Sequence, residues 1–165
     1  MSRTLVTYFT YSNGNTEGIA RAAAEALGAD LCAIEPMSPY VGSYDDVVEQ
    51  GKEEVDTGFM PDIEPAEFDP ESYDVIVVGT PTWWYTMAPP VRTFLGAHDW
   101  EGRTVVPFMT NAGWPGSVID DMEDACPGAA FAHAKEFRFD SQGGDQMVTP
   151  QAELDRWLDE LRTHD

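Results

Sequence analysis

Strand-like and helix-like segments alternate five times along this chain, with no internal repeat and no linker, and this alternation narrows the fold more than any other feature. Apolar or β-branched runs occupy Leu5 to Phe9, Asp30 to Glu35, Tyr73 to Gly79, Arg103 to Met109 and Ala130 to Phe139. Helical patterns follow them over Glu17 to Leu27, Tyr44 to Val55, Val91 to Leu95, Val118 to Ala125 and Gln151 to Leu161. Pro36 and Pro39 stop the second strand, Pro89-Pro90 suit the first turn of the third helix, and Pro127-Gly128 close the fourth. Such an order implies an α/β protein: a parallel sheet with helices on both faces, joined by right-handed crossovers. Ligands in these sheets bind beyond the carboxyl ends of the strands. The loops after the first, third and fourth strands are therefore where chemistry is expected.

A length of 165 residues fits one domain spanning 1–165, and 42% apolar residues with five Trp, six Tyr and eight Phe argue against disorder. No apolar run approaches the roughly 20 residues of a membrane span. Met1-Ser2-Arg3 leads straight into a strand rather than a signal-peptide core. A soluble, cytoplasmic protein without membrane association is expected. Cys32 and Cys126 stand far apart, without CxxC or Cys/His spacing, so they read as buried thiols and no metal site is indicated. A net charge of −21 repels nucleic acid and anionic lipid and leaves basic proteins as possible partners. Lys52 and Lys135 are the only lysines, and the acidic residues are spread along the whole chain. That pattern fits a surface adapted to high salt, the codon bias of a GC-rich genome, or an acidic docking face.

The first loop, Thr10-Tyr11-Ser12-Asn13-Gly14-Asn15-Thr16, joins a strand directly to a helix. Three hydroxyls, the Asn15 amide and loop N–H groups converge where a helix N-terminus leaves donors unpaired and favours an anion. The loop holds no lysine or arginine, which suits a phosphate held as part of a larger cofactor better than one being transferred. An ordinary turn with an N-cap at Ser12 or Asn13 is the alternative.

In the second loop, Pro81-Thr82-Trp83-Trp84-Tyr85-Thr86-Met87 places three consecutive aromatics and a methionine between prolines. Flat apolar faces beside hydroxyls suit a planar heteroaromatic ring; packing over the end of the sheet, or an oligomer contact, would use the same residues. The third loop, Thr110-Asn111-Ala112-Gly113-Trp114-Pro115-Gly116-Ser117, offers small residues where backbone can approach a ring edge.

Taken together, the Thr-x-Ser-x-Gly-Asn-Thr loop, the stretch Gly-Thr-Pro-Thr-Trp-Trp-Tyr-Thr-Met-Ala-Pro-Pro-Val-Arg-Thr-Phe-Leu, and Pro107-Phe108-Met109-Thr110 before a Gly-rich loop resemble flavodoxins, particularly the small flavodoxin-like FMN proteins of bacteria and archaea. The resemblance covers nearly the whole chain. It implies a flavodoxin-like three-layer α/β/α sandwich with a five-stranded parallel sheet in the order 2-1-3-4-5, in the short-chain pattern that lacks a hairpin splitting the fifth strand. It also implies FMN as cofactor. Residues 10 to 16 would hold the phosphate, with Thr10, Ser12, Asn15 and Thr16 as donors and Tyr11, Asn13 and Gly14 shaping the loop. Pro81, Thr82, Trp83, Trp84, Tyr85 and Met87 would pack against the isoalloxazine. Thr110, Asn111, Ala112, Gly113 and Gly116 would cover its other side, and Tyr40 is a further contributor.

Two departures from the family pattern carry consequences. Asn13 makes the phosphate loop one residue longer than usual. Many family members also stabilise the one-electron-reduced flavin by turning a peptide beside the ring, at a residue with positive φ that is often glycine. Thr80 to Pro90 contains no glycine, and other residues rarely take positive φ. Weak stabilisation of the one-electron form and a bias toward two-electron chemistry are expected on that ground.

The resemblance implies electron transfer with redox partner proteins. A small FMN-dependent reductase acting between NAD(P)H and quinones is the near alternative, and a flavin-free interaction module built on Trp83-Trp84-Tyr85 the distant one. Other users of such a fold lack their residues here. A phosphoacceptor receiver wants acidic side chains where Thr10 and Gly79-Thr80 stand, a small phosphatase wants Cys and Arg in the first loop, and a P-loop wants a lysine that Gly14-Asn15-Thr16 does not supply. His98 and His133 fall outside the three loops and read as surface or helix-end residues.

Overall fold

The computed structural model describes residues 3–11, 14–141 and 144–164. Parallel strands β1 (Thr4–Tyr8), β2 (Asp30–Ala33), β3 (Val75–Trp83) and β5 (Thr104–Asn111) form the centre of a sheet ordered β2-β1-β3-β5. The far edge is made by β6 (Ala130–Phe131) along the start of β5 and β7 (Lys135–Arg138) along its end, both parallel to it. The expected order 2-1-3-4-5 is therefore present, with seven strands in place of five. One extra strand is β4 (Thr86–Met87), which folds back antiparallel onto the end of β3. The other arises because the fifth predicted strand is broken: His133 takes φ 54°, which lifts the chain off the ladder, and its carbonyl accepts a 2.7 Å bond from Trp157 Nε1.

Helices α1 (Asn15–Leu27) and α5 (Gln151–Arg162) cover one face, and α2 (Tyr44–Thr57), α3 (Pro89–Gly96) and α4 (Val118–Asp124) the other. On the first face Ile19, Ala20, Ala23, Leu154, Trp157 and Leu161 pack on Val6, Val77, Val106 and Phe108. The opposite face buries Leu5, Ile76, Val78 and Val105 under Val47, Val91, Phe94 and Met122. Each central strand thus buries both its faces, as parallel strands under two helical layers must. α2 starts at a reciprocal capping box between Ser43 and Asp46 and ends at Gly58 in the left-handed conformation. Across the middle of the sheet, Tyr8, Gly79, Phe108 and Lys135 lie in one row. A Cβ on Gly79 would stand 2.1 Å from Phe108 Cζ, so only glycine admits that ring. None of the helices among the described residues is long and apolar enough to cross a membrane.

Candidate functional site

The carboxyl ends of β1, β3 and β5 open into one cleft of about 770 Å³. Its lining takes residues from all three predicted loops: Tyr11, Asn15 and Thr16 from the first, Pro81 to Tyr85 from the second, and Thr110, Asn111, Ala112 and Trp114 from the third. Ser12 and Asn13 lie outside the described residues.

One end of the cleft gathers hydroxyl-bearing residues at the N-terminus of α1, where backbone N–H groups favour an anion. The N-cap of α1 is Gly14, at φ 73°, which has no side chain to offer, and among the described residues no side chain caps the first-turn N–H groups. The expected alternative, a side-chain cap from Ser12 or Asn13, falls on residues outside the described ones. Beside it, Thr10 Oγ1 is buried without a partner, a placement that native structures rarely tolerate unless something completes it. Thr16 and Thr110, both buried, bring their hydroxyls within 2.7 Å. Such a pair consumes one of its two protons, and the other is free to be donated. Asn15 Nδ2 donates to the Gly144 carbonyl at 3.1 Å, drawing the segment after β7 over this end, where Phe139, Asp140, Ser141 and Gly144 line the cleft.

The other end is aromatic. Trp83 stands edge-on to Tyr40 at 4.9 Å, Phe9 at 5.6 Å and Tyr11 at 5.8 Å, so it is both a wall of the cleft and a cap on the sheet. The packing reading and the ligand reading of this residue coincide. Tyr40 is buried behind it and does not line the cleft. Its hydroxyl donates at 2.6 Å to the buried Glu54, whose other oxygen accepts from Gln50. Burial first, and the Glu54 carboxylate second, push the Tyr40 phenol far above its ordinary range, so it stays a donor. Trp84, Tyr85 and Trp114 are exposed at the rim.

Trp84 and Tyr85 also correct a sequence expectation. Their φ values are 49° and 67°, so the backbone of this glycine-free stretch is left-handed at two successive residues. The two-electron bias inferred from the missing glycine loses its premise. Met87 is a second correction: its side chain is buried in the core beside Ala88 and Val91 and does not reach the cleft. Thr10, Gly14, Gly113 and Gly116 are not on the lining either; the glycines serve the backbone of the loops around it. His98 pairs with Glu71, and His133 with His164 and Glu160, all off the lining.

Sequence reasoning missed the α2 wall, where Tyr44, Val47, Val48 and Gly51 line the cleft. A glycine in mid-helix was its one signal: a Cβ on Gly51 would stand 3.2 Å from the Trp83 ring. Among the described residues, no Lys, Arg or His lines the cleft.

A family model described as Flavodoxin matches residues 3–159. The chain belongs to the flavodoxin family. Membership bears out the sequence reading of a flavodoxin-like, FMN-binding redox protein. No match was found among curated proteins. Among solved structures, a candidate flavoprotein from Bacteroides eggerthii is 26% identical over 99% of this chain and 100% of its own, with a TM-score of 0.78. A flavoprotein in complex with FMN from Lactobacillus acidophilus shares 18% identity over 95% of this chain and 99% of its own, at a TM-score of 0.72. A flavodoxin, WrbA-like protein of Agrobacterium tumefaciens shares 19% over the full length of both chains, at 0.63. The last two likenesses concern the fold.

Proposed function

We propose that residues 1–165 of this flavodoxin form one FMN-binding domain that passes electrons between redox partner proteins. The cleft over the ends of β1, β3 and β5 carries this reading: the buried Thr16 and Thr110 hydroxyls meet there at the start of α1, a favourable place for a phosphate, with the unpartnered Thr10 hydroxyl in the same loop. Asn15, Thr16 and the loop N–H groups complete the cradle, and the spare proton of the Thr16–Thr110 pair is given to a phosphate oxygen. Trp83, Trp84 and Tyr85 offer apolar faces to the ring, while Thr110, Asn111 and Ala112 offer polar groups to its edge. FMN, when bound, supplies one- and two-electron redox chemistry; the protein fixes its position, its shielding from water and the exposure of its rim.

The cation-free lining supports a carrier over an NAD(P)H-dependent reductase, because with the uncharged donors committed to the FMN phosphate a dinucleotide's pyrophosphate would find neither a second set of donors nor a counter-charge there. Neutral quinones meet no such obstacle and fit the apolar rim as small electron acceptors.

The test is a fluorescence titration of the flavin-free chain with FMN and with riboflavin. FMN should bind at least tenfold more tightly than riboflavin. Thr16→Ala should cost FMN about 1 kcal/mol or more and leave riboflavin unchanged. Absence of FMN binding overturns the reading, and an equal loss for riboflavin removes Thr16 from the phosphate site. Stopped-flow mixing of the FMN-loaded protein with NADPH should give no flavin bleaching on the timescale at which the reduced protein is reoxidised by a neutral quinone.

A further inference from the structure

The turn between β3 and β4 has the wrong residues for its shape. Trp83 pairs with Thr86, leaving a two-residue hairpin loop of Trp84 and Tyr85, both left-handed at φ 49° and 67°. This is the geometry that Asn-Gly serves at low cost. A bulky aromatic there is strained and persists only if the surroundings hold it.

Two elements do. From α2, the Val48 carbonyl accepts from Trp84 Nε1 at 2.9 Å and Lys52 Nζ sits 5.4 Å from the centre of the Trp84 ring. From the start of α4 the hold is on the backbone. Ser117 N donates to the Tyr85 carbonyl at 2.8 Å. Gly116, at φ 56°, lies so close that a Cβ would come within 2.1 Å of that oxygen. One side chain ties this contact to the hairpin: Asp121 Oδ2 accepts from Thr86 Oγ1 at 2.5 Å and from Ser117 Oγ at 2.7 Å. Asp121 does not line the cleft.

We propose that Asp121 is a positioning residue of the flavin site: by joining Thr86 to Ser117 it holds Trp84 and Tyr85 in their strained turn, and so places the aromatic rim that grips the ring. The choice of ligand rests on the FMN reading, whereas the hold itself does not.

The experiment is a double-mutant cycle of Asp121→Ala and Tyr85→Gly, read in two ways. Hydrogen exchange of the Ser117 amide in the flavin-free chain needs no ligand. Asp121→Ala should speed it at least tenfold in the native background and less than threefold with Tyr85→Gly, because glycine keeps the turn without help. Binding of riboflavin and of FMN should follow the same pattern, each falling at least tenfold on Asp121→Ala, by equal factors, and less than threefold when Tyr85→Gly is already present. Asp121→Asn, whose amide oxygen still accepts from both hydroxyls, should restore most of the loss. Thr86→Val removes one tie and serves if Asp121→Ala does not fold; it should reproduce the pattern at smaller amplitude. Additive effects, a loss confined to FMN, or an Asp121→Asn variant as weak as Asp121→Ala would overturn the proposal. A native chain that binds no flavin yet shows the exchange coupling would instead strike the FMN reading and leave the hold standing.

Discussion

The buried hydroxyl of Thr10 and the buried Tyr73 have opposite consequences for the stability of the fold. The Thr10 hydroxyl is buried and unsatisfied, and such a group costs about 1–3 kcal/mol. Thr10→Val keeps the shape and removes the orphan. The flavin-free protein should melt at the same temperature or higher, while FMN affinity falls about tenfold or more and riboflavin affinity holds, as differential scanning calorimetry and titration would report. Tyr73 donates to Asp30 at 2.6 Å, and burial, followed by that carboxylate, pushes its phenol up to about 12. Burial likewise pushes the Cys126 thiol up to about 12. Both groups are acids kept neutral by the fold, so the native state binds more protons than the unfolded chain. Their contribution is complete below their ordinary values and is lost as pH rises toward 12. Urea unfolding should show stability falling from about pH 9 to 12, less steeply in Tyr73→Phe. At this scale the hydroxyl-rich loop was legible in sequence because its residue types announce donors. The Thr16–Thr110 pair was not, since 94 positions separate its members and only the sheet register joins them.

Elements were legible where the local pattern and the tertiary demand agree. The helices fall within a few residues of their predicted bounds, and all five predicted strands begin within two residues of where their apolar runs begin, though the fifth is then broken. β3 runs past the expected end at Gly79 to Trp83 because Pro81 needs no donor at its place and Thr110 still pairs with it. The break at His133 carries no glycine or proline to announce it; it is set by α5, whose Trp157 claims the carbonyl. α2 shows in sequence as a helical pattern over Tyr44 to Val55 with no sign of its place at the cleft, because its buried stripe is thin: Val47, Gly51 and Glu54. Its place over the cleft depends on the Trp83 ring filling the space that Gly51 leaves. Gly79 in β3 makes the matching case inside the sheet, and there the consequence is larger. Phe108 Cζ and both its Cε atoms lie within 2.7 Å of where a Cβ would be, and the ring is wedged against Phe137 and Trp157. Gly79→Ala should destabilise the protein by about 1–3 kcal/mol, as overpacking of a filled core does, with a lower urea midpoint at unchanged slope. A loss under 0.5 kcal/mol would mean that the layer can give.

The whole molecule binds an anion although it is itself strongly anionic. Thirty acidic residues face nine basic ones, so at least 21 carboxylates have no lysine or arginine of their own, and the ion pairs that do form lie largely at the surface, as Arg21–Glu17 and Arg162–Asp159 do. The cradle answers with hydroxyls, N–H groups and a helix end, none of which carries a full charge. In a cation-lined site, salt weakens phosphate binding by screening an attraction. Here the only long-range force on the phosphate is repulsion by the protein's own field, and salt screens that instead, the Debye length shrinking from about 8 Å at 0.15 M to about 3 Å at 1 M. FMN affinity should therefore rise between low salt and 1 M NaCl, mainly through a faster association rate, whereas riboflavin affinity should change little. The same screening relieves self-repulsion in the folded chain, so the melting temperature should climb over that range, equally in NaCl and KCl. A fall in FMN affinity with salt would show that a cation outside the lining, such as Lys52 or Arg138, reaches the phosphate. Lys52→Gln and Arg138→Gln, titrated at both salt concentrations, would identify which one reverses the slope.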